Sequence, residues 1–392
     1  MTLDLAKVSP QLRQMSQRLL DRREQLGLRL EHARATFAAW APRWEELRDL
    51  AEGRESRAQR LASPREPLDM AAPLPELPPD RWVVATDGSQ IEPDRHGPSE
   101  YYLINIGWAV LRYGDRAAAE LASAPTLAYE LDDLFISDEQ LRRRVPVQGS
   151  HLAARRSVRE LERAVELAAA SQGLPLVVLQ DGTLLLWVLE ERPEDFLREA
   201  FLRPYVAAME RCQQLGRPLA SYISRPRSTE VSSLLRAATC GGEPAGCRAC
   251  RPRDDSQCAL DGLHDRMLFE RLEEGQRSAL FAATLHEKLE GYYLGQRVHF
   301  FFVHVGSELA RVEIPEWVAN DTAQLDLVHA VVYDQCQRGQ GYPAALTRAH
   351  EQAIVRAADR EMLRVLLESM FARQGIQARF SEKAAAKRLR AV

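Results

Sequence analysis

The stretch Trp82-Val83-Val84-Ala85-Thr86-Asp87-Gly88-Ser89-Gln90 reads as an apolar strand that runs into an acid and then a turn. About ninety residues later, Leu176-Val177-Val178-Leu179-Gln180-Asp181-Gly182-Thr183 repeats the plan. Asp-Gly is a common turn signal, and either copy alone would carry no more than that meaning. Two copies, each after a hydrophobic strand, go further. Strands that both end in Asp-Gly-Ser/Thr can set two carboxylates side by side at one sheet edge, and paired carboxylates there point to a divalent metal.

Composition removes several classes. The 392 residues are 45% hydrophobic and 28% charged, as expected of a soluble globular protein. No run of about eighteen apolar residues occurs, and the N-terminus lacks the apolar core and cleavage site of a secretory signal. A cytoplasmic protein with no membrane partner is expected. The net charge of -4 hides local clustering and argues neither for nor against nucleic acid. No glycine-rich loop ending in Gly-Lys-Ser/Thr is present, which leaves nucleotide-driven work to a partner.

Residues 1–60 form the first segment. Leu12, Met15, Leu19, Leu26, Leu30, Ala33, Phe37, Trp40, Trp44 and Leu47 recur at steps of three, four or seven, the stripe of an amphipathic helix or coiled-coil arm. Gly27 and Pro42 weaken it, predicting a bent arm or a helix pair that packs on its own domain or on a partner. Residues 61–80 carry Pro64, Pro67, Pro73, Pro75, Pro78 and Pro79 and read as an extended linker. The principal domain is expected over 81–375, and a basic tail with Lys383, Lys387, Arg388 and Arg390 over 376–392.

Within 81–375 the first three strands form an antiparallel meander, the third near Ala117 to Glu130. A helix from His151 to Ala170 follows, then the strand that delivers Asp181. Meander, helix and a strand rejoining in parallel is the order of the ribonuclease-H-like fold, a mixed α/β sheet flanked by helices. In that order Asp87 and Asp181 lie on neighbouring strands, and a glutamate on the intervening helix would complete a metal site. Glu160 is the first choice and Glu162 the second, since two residues apart on a helix they cannot both face the sheet. The alternative for Glu160 is a surface ion pair with Arg156 or Arg163 at helical spacing.

Two further groups carry chemistry. The strand Leu219 to Ile223 leads into Ser224-Arg225-Pro226-Arg227, where Arg225 and Arg227 would hold phosphates or stand as plain surface charges. Cys240, Cys247, Cys250 and Cys258 fall within nineteen residues, an insertion at 240–258 that reads as a structural Zn²⁺ site, with an iron–sulfur cluster or free thiols as alternatives. Cys212 and Cys336 read as isolated buried thiols.

Gly341-Tyr342-Pro343 opens a helix that carries Ala349-His350, and Pro343 suits its first turn. Together with the two Asp-Gly strands, the Arg-rich helix ahead of the second one, Leu263-His264-Asp265-Arg266 and Gly275-Gln276-Arg277, this closing segment resembles the NurA family of DNA-end-processing nucleases. The resemblance runs from about Arg81 to the C-terminus. It implies a catalytic set of Asp87, Glu160, Asp181 and His350 holding Mn²⁺ or Mg²⁺, with Ser89, Tyr222, Arg225, Arg227 and Tyr342 on the substrate side. It implies 5′-to-3′ exonuclease and single-strand endonuclease action on DNA, in a homodimer docked on a HerA-type hexameric ATPase. The cysteine insertion, and Ser224-Arg225 where a lysine is common, depart from the family pattern. Two other classes fit the residues: a metal-free nucleic-acid-binding adaptor of the same fold, and another metal-dependent phosphoryl-transfer enzyme such as a ribonuclease.

Overall fold

The computed structural model describes residues 5–53, 60–93, 100–138, 142–171, 173–189, 195–239, 260–285, 287–293 and 295–375. The chain divides into two units, one of Met1–Pro73, Ser224–Glu287 and His299–Arg311, the other of Leu74–Ile223, Lys288–Val298 and Val312–Val392.

The larger unit is a mixed α/β layer structure. Its strands are β1 (Arg81–Ile91), β2 (Tyr102–Tyr113), β3 (Ala118–Ala128), β4 (Leu176–Asp181) and β5 (Leu219–Ile223), in the spatial order β3-β2-β1-β4-β5. The first three form the expected meander, antiparallel throughout, and β4 joins β1 in parallel after helix α1 (Ser150–Ala170). Val83, Val84 and Ala85 of β1 and Val177, Val178 and Leu179 of β4 are fully buried, which is why both central strands read as unbroken apolar runs. Helices α2 (Asp195–Gln214), α3 (Thr322–Arg338) and α4 (Ala344–Ala353) also belong to the unit.

Side chains alternate across a strand, so consecutive residues of β1 meet different layers. Thr86 and Gly88 meet α1: the Thr86 hydroxyl donates to the Glu160 carbonyl at 2.9 Å, and Gly88 lies against the Glu160 side chain. Asp87 and Ser89 meet α4, through His350 and the Ala353 carbonyl. The two helices therefore cover opposite faces of β1.

In the smaller unit a helix from Leu5 to Trp40 gives way to a 3₁₀ turn, Ala41–Arg43, and a second helix, Trp44–Glu52. The bend falls at Pro42, while Gly27 leaves the first helix unbroken. Phe37 packs edge-to-face on Phe269 at 5.5 Å, whereas Leu12, Met15 and Leu19 stay exposed. The stretch read as a linker is partly structured. Ala62–Pro64 pairs with Phe281–Ala283, and Ala71–Ala72 pairs with Arg277–Ser278. Leu61, Ala62, Ser63 and Leu68 are buried, because the apolar residues between the prolines find partners that proline spacing does not reveal. Cys212 and Cys336 are both fully buried. No helix among the described residues is long and apolar enough to cross a membrane.

Candidate active site

The register Trp82↔Leu176 through Thr86↔Gln180 makes Asp87 and Asp181 the next positions of adjacent parallel strands. The Gln180 amide donates to Thr86 Oγ1 at 2.7 Å, so the residues just before the two acids are tied together. The two Asp-Gly steps differ in backbone. Asp181 ends β4 and Gly182 turns the chain at φ +85°, as the sequence predicts. At Asp87 there is no turn: β1 continues to Ile91, paired with β2 down to Ile91↔Leu103. Gly88 serves a packing need instead, since a Cβ there would stand 2.5 Å from Glu160 Oε1 and 2.8 Å from Arg156 Cγ.

Asp87 Oδ2 lies 2.6 Å from His350 Nδ1, and Asp87 Oδ1 accepts the Gly88 N–H at 2.8 Å. The Tyr342 hydroxyl donates to Asp181 Oδ1 at 2.7 Å. Asp181 keeps solvent contact, yet removal of part of its water raises its pKa against the lowering effect of the Tyr342 bond, and the Asp87 charge adds to the rise. Burial, then the neighbouring Asp181 charge, raises the Tyr342 pKa, so the phenol remains a donor. Tyr222 is fully buried and meets the Tyr342 ring edge-on at 5.3 Å. Expected on the substrate side, Tyr222 instead braces Tyr342, because β5 places it beneath that ring.

Glu160 approaches from the other face. It is 8% exposed, and burial raises its pKa to about 7; Arg156 opposes the rise, and the Asp87 and Asp181 charges add to it. Arg156 Nε is 3.0 Å from Glu160 Oε1, but the two are misaligned, and neither atom has a hydrogen-bond partner. The contact is an ion pair by distance only. Glu162 pairs with Arg159 at 3.2 Å and borders a pocket over β2 and β3, which separates the two candidate glutamates as helical geometry requires.

The His350 helix is seated by residues to which sequence reading gave no role. Gly107 stands opposite Asp87 in β2, and a Cβ there would lie 2.3 Å from Ala353 N and 2.6 Å from Ala349 O. Asn105 donates to the Gln352 and Ala353 carbonyls at 3.2 and 2.9 Å, and Ser89 Oγ also donates to Ala353 O. These bonds satisfy carbonyls that every helix C-terminus leaves open. A lone glycine and a lone asparagine inside an apolar strand were the available signals. Gly107→Ala is expected to cost roughly 1–3 kcal/mol of stability by forcing α4 off the sheet. A urea titration checks this, and an unchanged midpoint would mean that the helix adjusts freely.

Among the described residues no three His, Cys, Asp or Glu side chains converge closely enough to hold a metal ion. His350 engages Asp87, Tyr342 engages Asp181, and Glu160 stands beside Arg156 of its own helix. The donor chemistry nevertheless fits a hard divalent cation, with carboxylate oxygens, one imidazole, and a buried Glu160 Oε1 that lacks a hydrogen bond. Arg225 and Arg227 belong to the smaller unit. Cys240, Cys247, Cys250 and Cys258 lie outside the described residues, and the structural Zn²⁺ expectation gains no support.

The NurA domain family matches residues 82–355, a span that holds Asp87, Glu160, Asp181, Tyr342 and His350. This chain belongs to the NurA family. It is similar to the NurA nuclease from Sulfolobus solfataricus, with 15% identity and a TM-score of 0.47 over 78% of this chain and 88% of that one. It is also similar to a NurA bound to dAMP and manganese, with 12% identity and a TM-score of 0.37 over 76% of this chain and 90% of that one. No curated protein matches the chain. Family membership supports a nuclease. In NurA terms, the two Asp-Gly strands and the Tyr-Pro helix that sequence reading singled out meet on one face of the sheet, with Glu160 on the other.

Proposed function

We propose that this NurA-family chain is a metal-dependent deoxyribonuclease with a ribonuclease-H-like nuclease fold. It would act as a 5′-to-3′ exonuclease and single-strand endonuclease in DNA end resection. The observation that carries this reading is the joint placement of Asp87, Asp181, His350 and Tyr342 on one face of β1 and β4, with Glu160 across Gly88. Asp87, Asp181, Glu160 and His350 would hold Mn²⁺ or Mg²⁺, and manganese in a NurA structure supports that choice. Such an ion, when bound, acidifies water and stabilises charge on the scissile phosphate and its leaving oxygen.

The chain's own residues supply the rest. A His350 that donates Nδ1–H to Asp87 keeps Nε2 to hold the ion, and the ring is 65% exposed, so that nitrogen is open to it. Tyr342, held as a neutral phenol, fixes the Asp181 carboxylate in one rotamer. His350→Gln should fold normally, lower the cleavage rate by roughly 10- to 100-fold, and raise the Mn²⁺ concentration needed for half-maximal cleavage. An unchanged Mn²⁺ requirement would confine His350 to holding Asp87.

The family resemblance implies a homodimer and a HerA-type hexameric translocase as partner. The exposed Leu12, Met15 and Leu19 of the arm support a protein contact there. Cleavage of end-labelled single- and double-stranded DNA, and of RNA, with Mn²⁺, Mg²⁺ or EDTA tests the function. Metal-dependent DNA cutting is expected. DNA binding without cutting, even with a HerA-type partner and ATP, would make the chain an adaptor, and preference for RNA would make it a ribonuclease.

A further inference from the structure

A pocket of about 380 Å³ lies wholly within the smaller unit, bordered by Arg225, Arg266, Glu270, His304, Ser307 and Glu308. Its arginines are fixed by the backbone around them. Asp265 is fully buried, accepts the Ser232 N–H at 2.9 Å, and donates its own N–H to the Ser228 carbonyl at 2.8 Å. The 3₁₀ turn that begins at Asp265 is thereby pinned, and Arg266, the next residue, lines the pocket. Asp265 is spent as a buried backbone acceptor, and Arg266 turns to the pocket.

Arg225 has the backbone of a residue held for a purpose. Its φ is +44°, costly for a side chain with a Cβ, and Glu308 stabilises the bend by accepting the Arg225 N–H and the Ser224 hydroxyl, both at 3.0 Å. The guanidinium itself is 81% exposed and stands 3.8 Å from Glu308. The other carboxylate of the pocket, Glu270, is engaged by Arg34. Meanwhile Arg266 Nε and His304 Nδ1 are shielded from water and have no hydrogen-bond partner among the described residues. The local field is positive: His264 has its pKa lowered by burial, then by the Arg266 and Arg227 charges.

Both carboxylates are thus committed to neighbours, while the Arg225 guanidinium stands exposed and Arg266 borders the same pocket. We propose that this pocket binds a phosphate group of a nucleic-acid strand, with Arg225 and Arg266 as the charged donors and His304 beside them. The inference takes its nucleic-acid ligand from the nuclease reading. It adds Arg266, His304 and the Glu308-held turn to the phosphate contacts expected of Arg225.

The test is fluorescence anisotropy of the full chain in EDTA, where nothing is cut, with 3′-labelled single strands bearing either a 5′-phosphate or a 5′-hydroxyl. Arg225→Ala and Arg266→Ala are each expected to weaken binding about tenfold, and each should reduce the slope of log K against log salt by about 0.7. A loss confined to the 5′-phosphorylated strand assigns the terminal phosphate, and an equal loss on both strands assigns a backbone phosphate; either supports the pocket. Affinity and salt slope unchanged in both variants would overturn it. Arg225 is mostly exposed, so its variant should melt as the wild type does and decides the matter if Arg266→Ala folds poorly. Cleavage is scored separately on the wild type: binding through the pocket without metal-dependent cutting fails the nuclease and keeps the pocket, while cutting with unchanged binding in both variants fails the pocket alone.

Discussion

Asp87→Ala should abolish metal-dependent cleavage, by about 10³-fold or more, while leaving the protein folded. Three features of Asp87 lead there. Its carboxylate is on the same face as Asp181, it holds His350 Nδ1 at 2.6 Å, and it adds to the local negative charge felt by Glu160. Removing it would take away one proposed ion ligand and free the imidazole together. The fold should survive, because the flanking apolar residues Val83, Val84 and Ala85 carry the burial of β1 and Ala fits a strand there. The measurement is single-turnover cleavage of end-labelled DNA in Mn²⁺, with circular dichroism as the control for folding. Undiminished cutting by a well-folded variant would remove Asp87 from the chemistry and with it this site.

The second large effect concerns acid–base linkage at Glu160. Its pKa in the folded, metal-free protein is about 7, raised by burial from an ordinary 4.5. Folded protein therefore holds a proton that the unfolded chain has released between those values, and stability falls as pH rises through that window. A displacement of this size corresponds to about 3 kcal/mol, all of it present below pH 4.5 and lost above 7. Asp265, raised by burial to about 6, contributes a slope of the same sign, so the comparison must be made between variants. Urea midpoints in EDTA at pH 5 and pH 8 should differ less for Glu160→Gln than for the wild type. Equal pH dependence in the two proteins would show that Glu160 is solvated and ordinary. Divalent ions require the ionised carboxylate, so Mn²⁺ affinity should rise with pH across the same window.

Pattern in the chain was enough to locate the acids. Asp87 and Asp181 follow short, Val-rich apolar runs that suit strands buried between layers, so their adjacency was foreseeable once the meander and the intervening helix were read. The Tyr342-Pro343 helix start and His350 were likewise visible. The identical Asp-Gly step was not decisive. Gly182 makes the turn its sequence predicts, while Gly88 lies within a continuous strand and is needed because α1 presses Glu160 and Arg156 against it. Spacing cannot distinguish these cases, since the difference lies in what packs above the glycine.

Sequence by itself determined which residues carry charge and chemistry, that the central strands are buried, and that one helix separates the two acids. Only the tertiary structure decided the faces. Alternation along β1 sends Asp87 to α4 and Gly88 to α1, which puts His350 with Asp87 and leaves Glu160 on the opposite side. It also decided that Gly107 and Asn105 seat the histidine helix, that Tyr222 is buried beneath Tyr342, and that the proline-rich stretch contributes short strands. The physical reason is common to all of these. Local patterns record whether a residue is buried, but which element buries it depends on contacts between segments far apart in the chain.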